Sequence, residues 1–252
     1  MVTHGPYLHF AVISAVLGII LLVYYHQSRS RTTELSTVHS YDASELRRMC
    51  SDNFNAIVEV QGEVSCDKPV IAPTMKVECC WCKTVIEREV RESRGRASWE
   101  SVSENTLSAV FKITDGTGHV LVYPEQADIE AEKPYRIIVD NNDSILDSLA
   151  HLFSYETGRY RITEEVFLPT GYAFVLGRAT NCGQGTNPDV MISYPKHGYA
   201  DPNHKYFIIS RKTRNQLEAE ESISLKVCLW GSVAAFLFAA YCGLCALGVL
   251  PN

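Results

Sequence analysis

Apolar positions run without interruption near both ends of the chain and alternate with polar ones in between. Residues 7–25 and 227–250 contain no Asp, Glu, Lys or Arg. A helix rising ~1.5 Å per residue crosses ~30 Å of hydrocarbon within either stretch. Between them, Ala56-Ile-Val-Glu-Val-Gln-Gly-Glu-Val64 alternates apolar and polar residues, which predicts a half-buried strand. Residues 76–91 read as one long strand. Residues 109–114 and 119–123 read as a hairpin around Asp115-Gly-Thr-Gly118, where glycine accepts positive φ. Further strands are predicted over 135–139, 165–168, 172–179 and 206–210, with Pro169-Thr-Gly171 separating two of them.

Two short helices interrupt the strands. Asp42 is placed to cap one that runs toward Met49, with Glu45 in its first turn. The other spans 144–153, where Ile145, Leu146, Leu149, Leu152 and Phe153 recur at helical spacing. Many short strands with intervening turns predict a mainly β fold. That fold is an OB-like or partly open β-barrel with short helices, flanked by two transmembrane α-helices. The expected order is a transmembrane helix at 7–25, a linker with a short helix at 26–50 and a β-domain at 51–210. A juxtamembrane helix at 211–226 then runs unbroken into the second transmembrane helix at 227–250. The linker, rich in Ser and Thr over 27–41, is expected to be the looser of the two connections.

Charge sets an expected orientation. Arg29 and Arg31 follow the first span, and Arg211, Lys212, Arg214 and Lys226 precede the second, whereas the outer tails carry no charged side chain. Juxtamembrane Lys and Arg favour the cytoplasmic side. The chain is therefore expected to be an integral membrane protein with two spans, a cytoplasmic central domain and both termini on the opposite side. Residues 1–6 carry no Lys or Arg, and the exit His26-Gln-Ser-Arg-Ser-Arg31 has no small-x-small site, so a cleaved signal peptide is disfavoured. The basic clusters also suit anionic lipid headgroups.

Nine cysteines bear on compartment and chemistry. Cys228, Cys242 and Cys245 fall in the second span; Cys50, Cys66, Cys79, Cys80, Cys82 and Cys182 belong to the domain. A domain of this size buries an adequate core without staples, so reduced thiols are expected. Cys79-Cys80-Trp81-Cys82 contains a Cys-x-x-Cys, a spacing that grips a metal or forms a redox pair when the chain turns between the sulfurs. On a continuous strand Cys79 and Cys82 face opposite ways, which predicts structural cysteines instead.

No catalytic, cofactor-binding or metal-ligating residue is assigned, and no cofactor is expected. His119 lies beside the Asp115 turn, and Asp115 itself reads as turn-forming. His197, Asp201 and His204 share a polar aromatic loop, and Asn181-Cys-Gly-Gln-Gly185 lacks the lysine of a phosphate loop. A net charge of −6, with basic residues either interleaved with acids or near the spans, excludes nucleic acid as a partner class.

Taken in order, several segments resemble one family: Val58-Glu-Val-Gln-Gly62, Pro69-Val-Ile-Ala-Pro73, the strand from Cys79 to Arg91, and Phe111-Lys-Ile-Thr-Asp-Gly-Thr-Gly118 with Val120-Leu-Val-Tyr-Pro124. They continue with Glu165-Val-Phe-Leu-Pro-Thr-Gly171, Phe174-Val-Leu-Gly177 and Phe207-Ile-Ile-Ser210. This set is similar to the GIDE family, the mitochondrial ubiquitin-ligase-activator type with its "beside a membrane" domain, over residues 50–250. The resemblance implies a β-barrel-like domain between two membrane helices. In eukaryotic members a RING follows the second helix, and in the mitochondrial ones the domain faces the intermembrane space. A RING needs paired Cys and His ligands for zinc, which the residues up to Asn252 do not supply. The pattern resembles the RING-less prokaryotic members, and ligase activity is not expected of this chain by itself.

The expected function is a non-enzymatic, membrane-anchored interaction, scaffold or sensor module. Its expected partners are membrane lipids and a protein or a second copy. Alternatives are a component of a ubiquitin-type E3 ligase system whose RING sits on another chain, and a two-span membrane-perturbing effector, for which Gly231, Ser232, Gly243 and Gly248 would permit close helix contact.

Overall fold

The computed structural model describes residues 5–49, 55–91, 97–150, 152–153, 157–182, 189–194 and 207–247. In chain order the elements are α1 (Gly5–Thr37), α2 (Ala43–Met49), β1 (Asn55–Ser65), β2 (Val70–Ile71), β3 (Glu78–Cys79), β4 (Trp81–Arg91) and β5 (Ala97–Ser108). There follow β6 (Phe111–Thr114), β7 (His119–Val122), β8 (Asp128–Glu130), β9 (Tyr135–Asp140), α3 (Ser144–Leu149), β10 (Arg159–Phe167), β11 (Tyr172–Cys182), β12 (Asp189–Ser193), β13 (Ile208–Ser210) and α4 (Arg214–Ala246). Helices α1 and α4 belong to one compact unit, and His39–Thr213 forms the other.

The helix pair packs through small residues. A Cβ on Gly18 would sit 3.0 Å from the Phe236 ring, and one on Gly231 would sit 3.2 Å from Leu21, so these positions let the backbones approach. Cys228, Ser232, Cys242 and Cys245 are buried on α4, whereas Leu8, Ile13, Val23, Trp230 and Leu237 remain exposed. Such an apolar exterior fits lipid rather than water. Two candidate membrane spans, Tyr7–His26 and Arg214–Ala246, thus bracket the domain in sequence. One expectation is corrected here. The segment taken as a loose linker continues as helix to Thr37. It contains no Gly or Pro, so nothing interrupts the hydrogen-bond ladder that the apolar turns begin.

The domain is mainly β, and its barrel is closed. Strand β1 pairs with β11 from Asn55↔Thr180 to Glu63↔Tyr172, then with β6 from Glu63↔Thr114 to Ser65↔Lys112. The ring runs β1-β6-β7-β12-β11 and returns to β1. Parallel pairing of β7 with β12 completes a Greek-key order of the OB-like kind. Strands β13 and β8 extend the sheet beyond β11.

Two glycines make the closure possible. Gly62 lies where β1 passes from β11 to β6, and Gly177 where β11 passes from β13 to β12. A Cβ on Gly62 would come within 2.3 Å of the Thr114 carbonyl oxygen; on Gly177 it would come within 2.7 Å of Ile192 and Phe207. Val58, Val60, Phe111, Ile113, Val120, Val122, Val175 and Ile192 fill the core, and α2 adds Ala43 and Leu46.

A second sheet, β5-β4-β10-β9, is built from two insertions into the barrel sequence, β4 and β5 between β1 and β6, and β9 and β10 between β7 and β11. Helix α3 covers one face, with Leu146 and Leu149 against Ile86, Val139, Tyr160 and Ile162. The α3 N-terminus is capped by Asp143, which accepts from the Ile145 amide at 3.0 Å. On the other face Arg161 pairs with Glu87 and stacks over Trp99, 4.8 Å from its centroid. The continuous strand expected over 76–91 is instead broken: β3 ends at Cys79 and β4 begins at Trp81. Cys80 bends away between them because its N–H donates to the Phe167 carbonyl at 2.8 Å and its own carbonyl accepts from Ala109 at 2.8 Å.

Candidate functional site

Three polar centres organise the domain. The first is the Asp115 turn. Asp115 Oδ1 accepts from the Thr117 amide and hydroxyl, both at 2.8 Å, and from the Gly118 amide at 3.2 Å. Its Oδ2 accepts from the Ala43 amide at 2.6 Å, while Thr117 Oγ1 accepts from Ser44 at 3.2 Å. The β6–β7 hairpin therefore supplies caps for the first amides of α2. Partial burial pushes the Asp115 carboxyl up, but the Ala43 amide, the Thr117 hydroxyl and amide, and the Gly118 amide together hold it below its ordinary value. His119 lies 3.6 Å from Asp189, which Arg47 also approaches at 3.9 Å.

A depressed folded-state pKa has a defined consequence. The Asp115 contribution is complete above the unfolded carboxylate range, near pH ~4, and is lost as pH falls through the lower folded value. We expect Asp115→Ala to cost ~1–2 kcal/mol at neutral pH and to remove this acid-limb dependence. Urea unfolding of the full chain in detergent at pH 7 and pH 3.5 measures both effects. A loss that is equal at the two values would contradict the assignment.

The second centre is Glu164, fully buried in β10. Its oxygens accept from the Thr74 amide at 2.9 Å, the Met75 amide at 2.6 Å and the Thr84 hydroxyl at 3.0 Å. The carboxylate thereby ties the turn between β2 and β3 to the second sheet, with its lone pairs committed to donors. Tyr160, Ile162, Glu164 and Val166 occupy alternate, inward positions, so an acid in an apolar register was the signal that sequence reading missed.

Beside Glu164 lie the thiols. Cys79 and Cys82 do not face apart as expected; the break at Cys80 brings both into one apolar cluster with Ala72 and Val166. Cys79 Sγ donates to the Val70 carbonyl at 3.5 Å, with Cys82 in the same cluster. The Cys82 contact and burial both push the Cys79 thiol up, which makes it a poor nucleophile. Among the described residues, no three His, Cys, Asp or Glu side chains converge so as to hold a metal ion.

The third centre is Arg211. Its Nε donates to Glu132 at 3.0 Å, Nη1 to the Tyr172 carbonyl at 3.1 Å and Nη2 to the Leu168 carbonyl at 2.6 Å. Its guanidinium lies 3.8 Å from the Phe167 ring centroid. Lys212 pairs with Glu130, which also accepts from Ser210 at 2.6 Å. Two residues read as basic topology signals are thus also structural staples at the end of the barrel. His197, Asp201 and His204 lie outside the described residues, as does most of the Asn181–Gly185 segment.

The fold and these centres define a class: a closed β-barrel domain whose chain is bracketed by two candidate membrane spans. Within that class the match is specific. The GIDE family, described as an E3 ubiquitin ligase, matches residues 83–245. The chain belongs to the GIDE family and is a ubiquitin-ligase-related membrane protein. Comparison with curated proteins and with solved structures finds no match.

Proposed function

We propose that this chain is a membrane-anchored interaction module that holds a protein partner or a second copy at the cytoplasmic membrane surface. One observation carries the reading. Among the described residues, the carboxylates Asp115 and Glu164 are engaged in holding the fold. Asp115 accepts from three amides and a hydroxyl, and Glu164 from two amides and a hydroxyl. A carboxylate so saturated is pre-organised for structure, not for proton transfer. The orientation follows from Arg29, Arg31 and Lys226, with both termini on the far side of the membrane.

A second reading is favoured by the family description: a component of an E3 ligase assembly whose RING is supplied by another chain. Crosslinking in intact cells, gentle detergent extraction and mass spectrometry of the co-purifying proteins separate the two. Self-crosslinked copies or a RING-free partner would support the module. A stably bound RING protein would support the ligase component. We also expect the purified chain to leave ubiquitin on a loaded conjugating enzyme. Accelerated discharge by this chain alone would overturn both readings in favour of an enzyme.

A further inference from the structure

Cys66 and Cys80 come from different parts of the chain and meet at the edge of the barrel core. Cys66 immediately follows β1, and Cys80 is the bend between β3 and β4. Cys80 is fully buried in the core cluster, and Cys66 packs against that cluster while staying partly exposed. Cys66 Sγ contacts the Val110 carbonyl at 3.5 Å, and Cys80 is held by the neighbouring Ala109 amide on its carbonyl at 2.8 Å. The Cys80 Sγ contacts the Leu168 carbonyl at 3.9 Å, and the Cys66 thiol adds to burial in holding the proton on Cys80. Both are free. The second pair, Cys79 and Cys82, is buried on both members, so Cys66 offers the route of entry to this thiol group.

We propose that Cys66 and Cys80 form a reversible disulfide that staples the end of β1 to the start of the second sheet when a low-molecular-weight disulfide is present as oxidant. The exchange runs in two steps. The Cys66 thiolate attacks one sulfur of the oxidant, a mixed disulfide forms and one thiolate leaves. Cys80 then gives up its proton and attacks the Cys66 sulfur, expelling the second thiolate. Two protein thiols become one protein disulfide, and the oxidant becomes two thiols. Burial holds the Cys80 thiol up from its ordinary value, so the second step is the slow one. Cys66 and Cys80 both pack at the Ala109–Val110 step, which makes them neighbours as a disulfide requires. The bond closes the segment that carries β2, β3 and the turn bound by Glu164. Oxidation thus acts on the joint between barrel and second sheet.

The test uses the full chain in detergent, reduced and then equilibrated against stepped ratios of oxidised to reduced glutathione. After alkylation with N-ethylmaleimide, peptide mapping locates the linked residues, and the thermal midpoint is read in parallel. The expected result is a Cys66–Cys80 linked peptide, reversed by dithiothreitol, with a midpoint raised by roughly 5–10 °C. Cys66→Ser, at a partly exposed position, should fold normally and lose both the link and the rise. Cys82→Ala should keep them; if that variant does not fold, the wild-type peptide map decides alone. A Cys79–Cys82 link forming first, or Cys66 ending as a glutathione adduct with Cys80 still alkylatable, would overturn the proposal.

Discussion

Gly62→Ala is expected to destabilise the domain by ~3 kcal/mol or more. The added Cβ would lie 2.3 Å from the Thr114 oxygen and 2.7 Å from its carbonyl carbon, both backbone atoms of the neighbouring strand. A flexible side chain could rotate away; a paired backbone cannot move without giving up Glu63↔Thr114 and Val64↔Ile113. Relief therefore requires the barrel to open between β1 and β6. Gly118→Ala is the control, because its Cβ would first meet Ala43 at 3.4 Å, an ordinary contact. That change is expected to stay within about 1 kcal/mol. Urea unfolding of the full chain in detergent, followed by the fluorescence of the largely buried Trp81, compares them. Equal stability of the two variants would remove the argument that close strand approach demands glycine at the switch between partners.

Arg211→Ala is expected to cost ~2–4 kcal/mol, a range set by stranding a partly buried carboxylate rather than by the value of an exposed ion pair. Arg211 and Glu132 retain 22% and 29% side-chain exposure, which discounts the upper end. The loss has several sources. Glu132 is left without its cation, the Leu168 and Tyr172 carbonyls lose donors, and the Phe167 ring loses its stacked guanidinium. Arg211→Lys should recover less than half, since an ammonium cannot reproduce the planar fork over the ring. A double-mutant cycle with Glu132→Gln is expected to return a coupling of about 1 kcal/mol or more. A loss below ~0.5 kcal/mol would place Arg211 among ordinary surface residues.

Much of the architecture was legible because burial on one face leaves a period. The alternation of Val58, Val60 and Val64 marked β1, and the Asp115-Gly-Thr-Gly118 turn marked the β6–β7 hairpin. Strand β5 was not legible. Its sequence, Ala-Ser-Trp-Glu-Ser-Val-Ser-Glu-Asn-Thr-Leu-Ser, is polar because β5 is an edge strand paired only to β4 and mostly open to solvent. The break at Cys80 was hidden for a different reason. The hydrogen bonds that cause it come from Phe167 and Ala109, residues far along the chain with no local signature. Asp42 was the expected cap of α2, yet Asp115 and Thr117 hold its first amides from across the domain.

The sequence by itself determined the two apolar spans, the mainly β domain between them, and the ordered segments that place the chain in the GIDE family. These are properties of residue type and period, which survive without knowing what lies opposite. Tertiary structure alone decided that the barrel closes, where its glycines must stand, and which thiols meet. It also turned Asp115, Glu164 and Arg211 into joints between distant segments. Each of those outcomes depends on contacts across tens of residues, and a one-dimensional pattern carries the chemistry of such groups but not their partners.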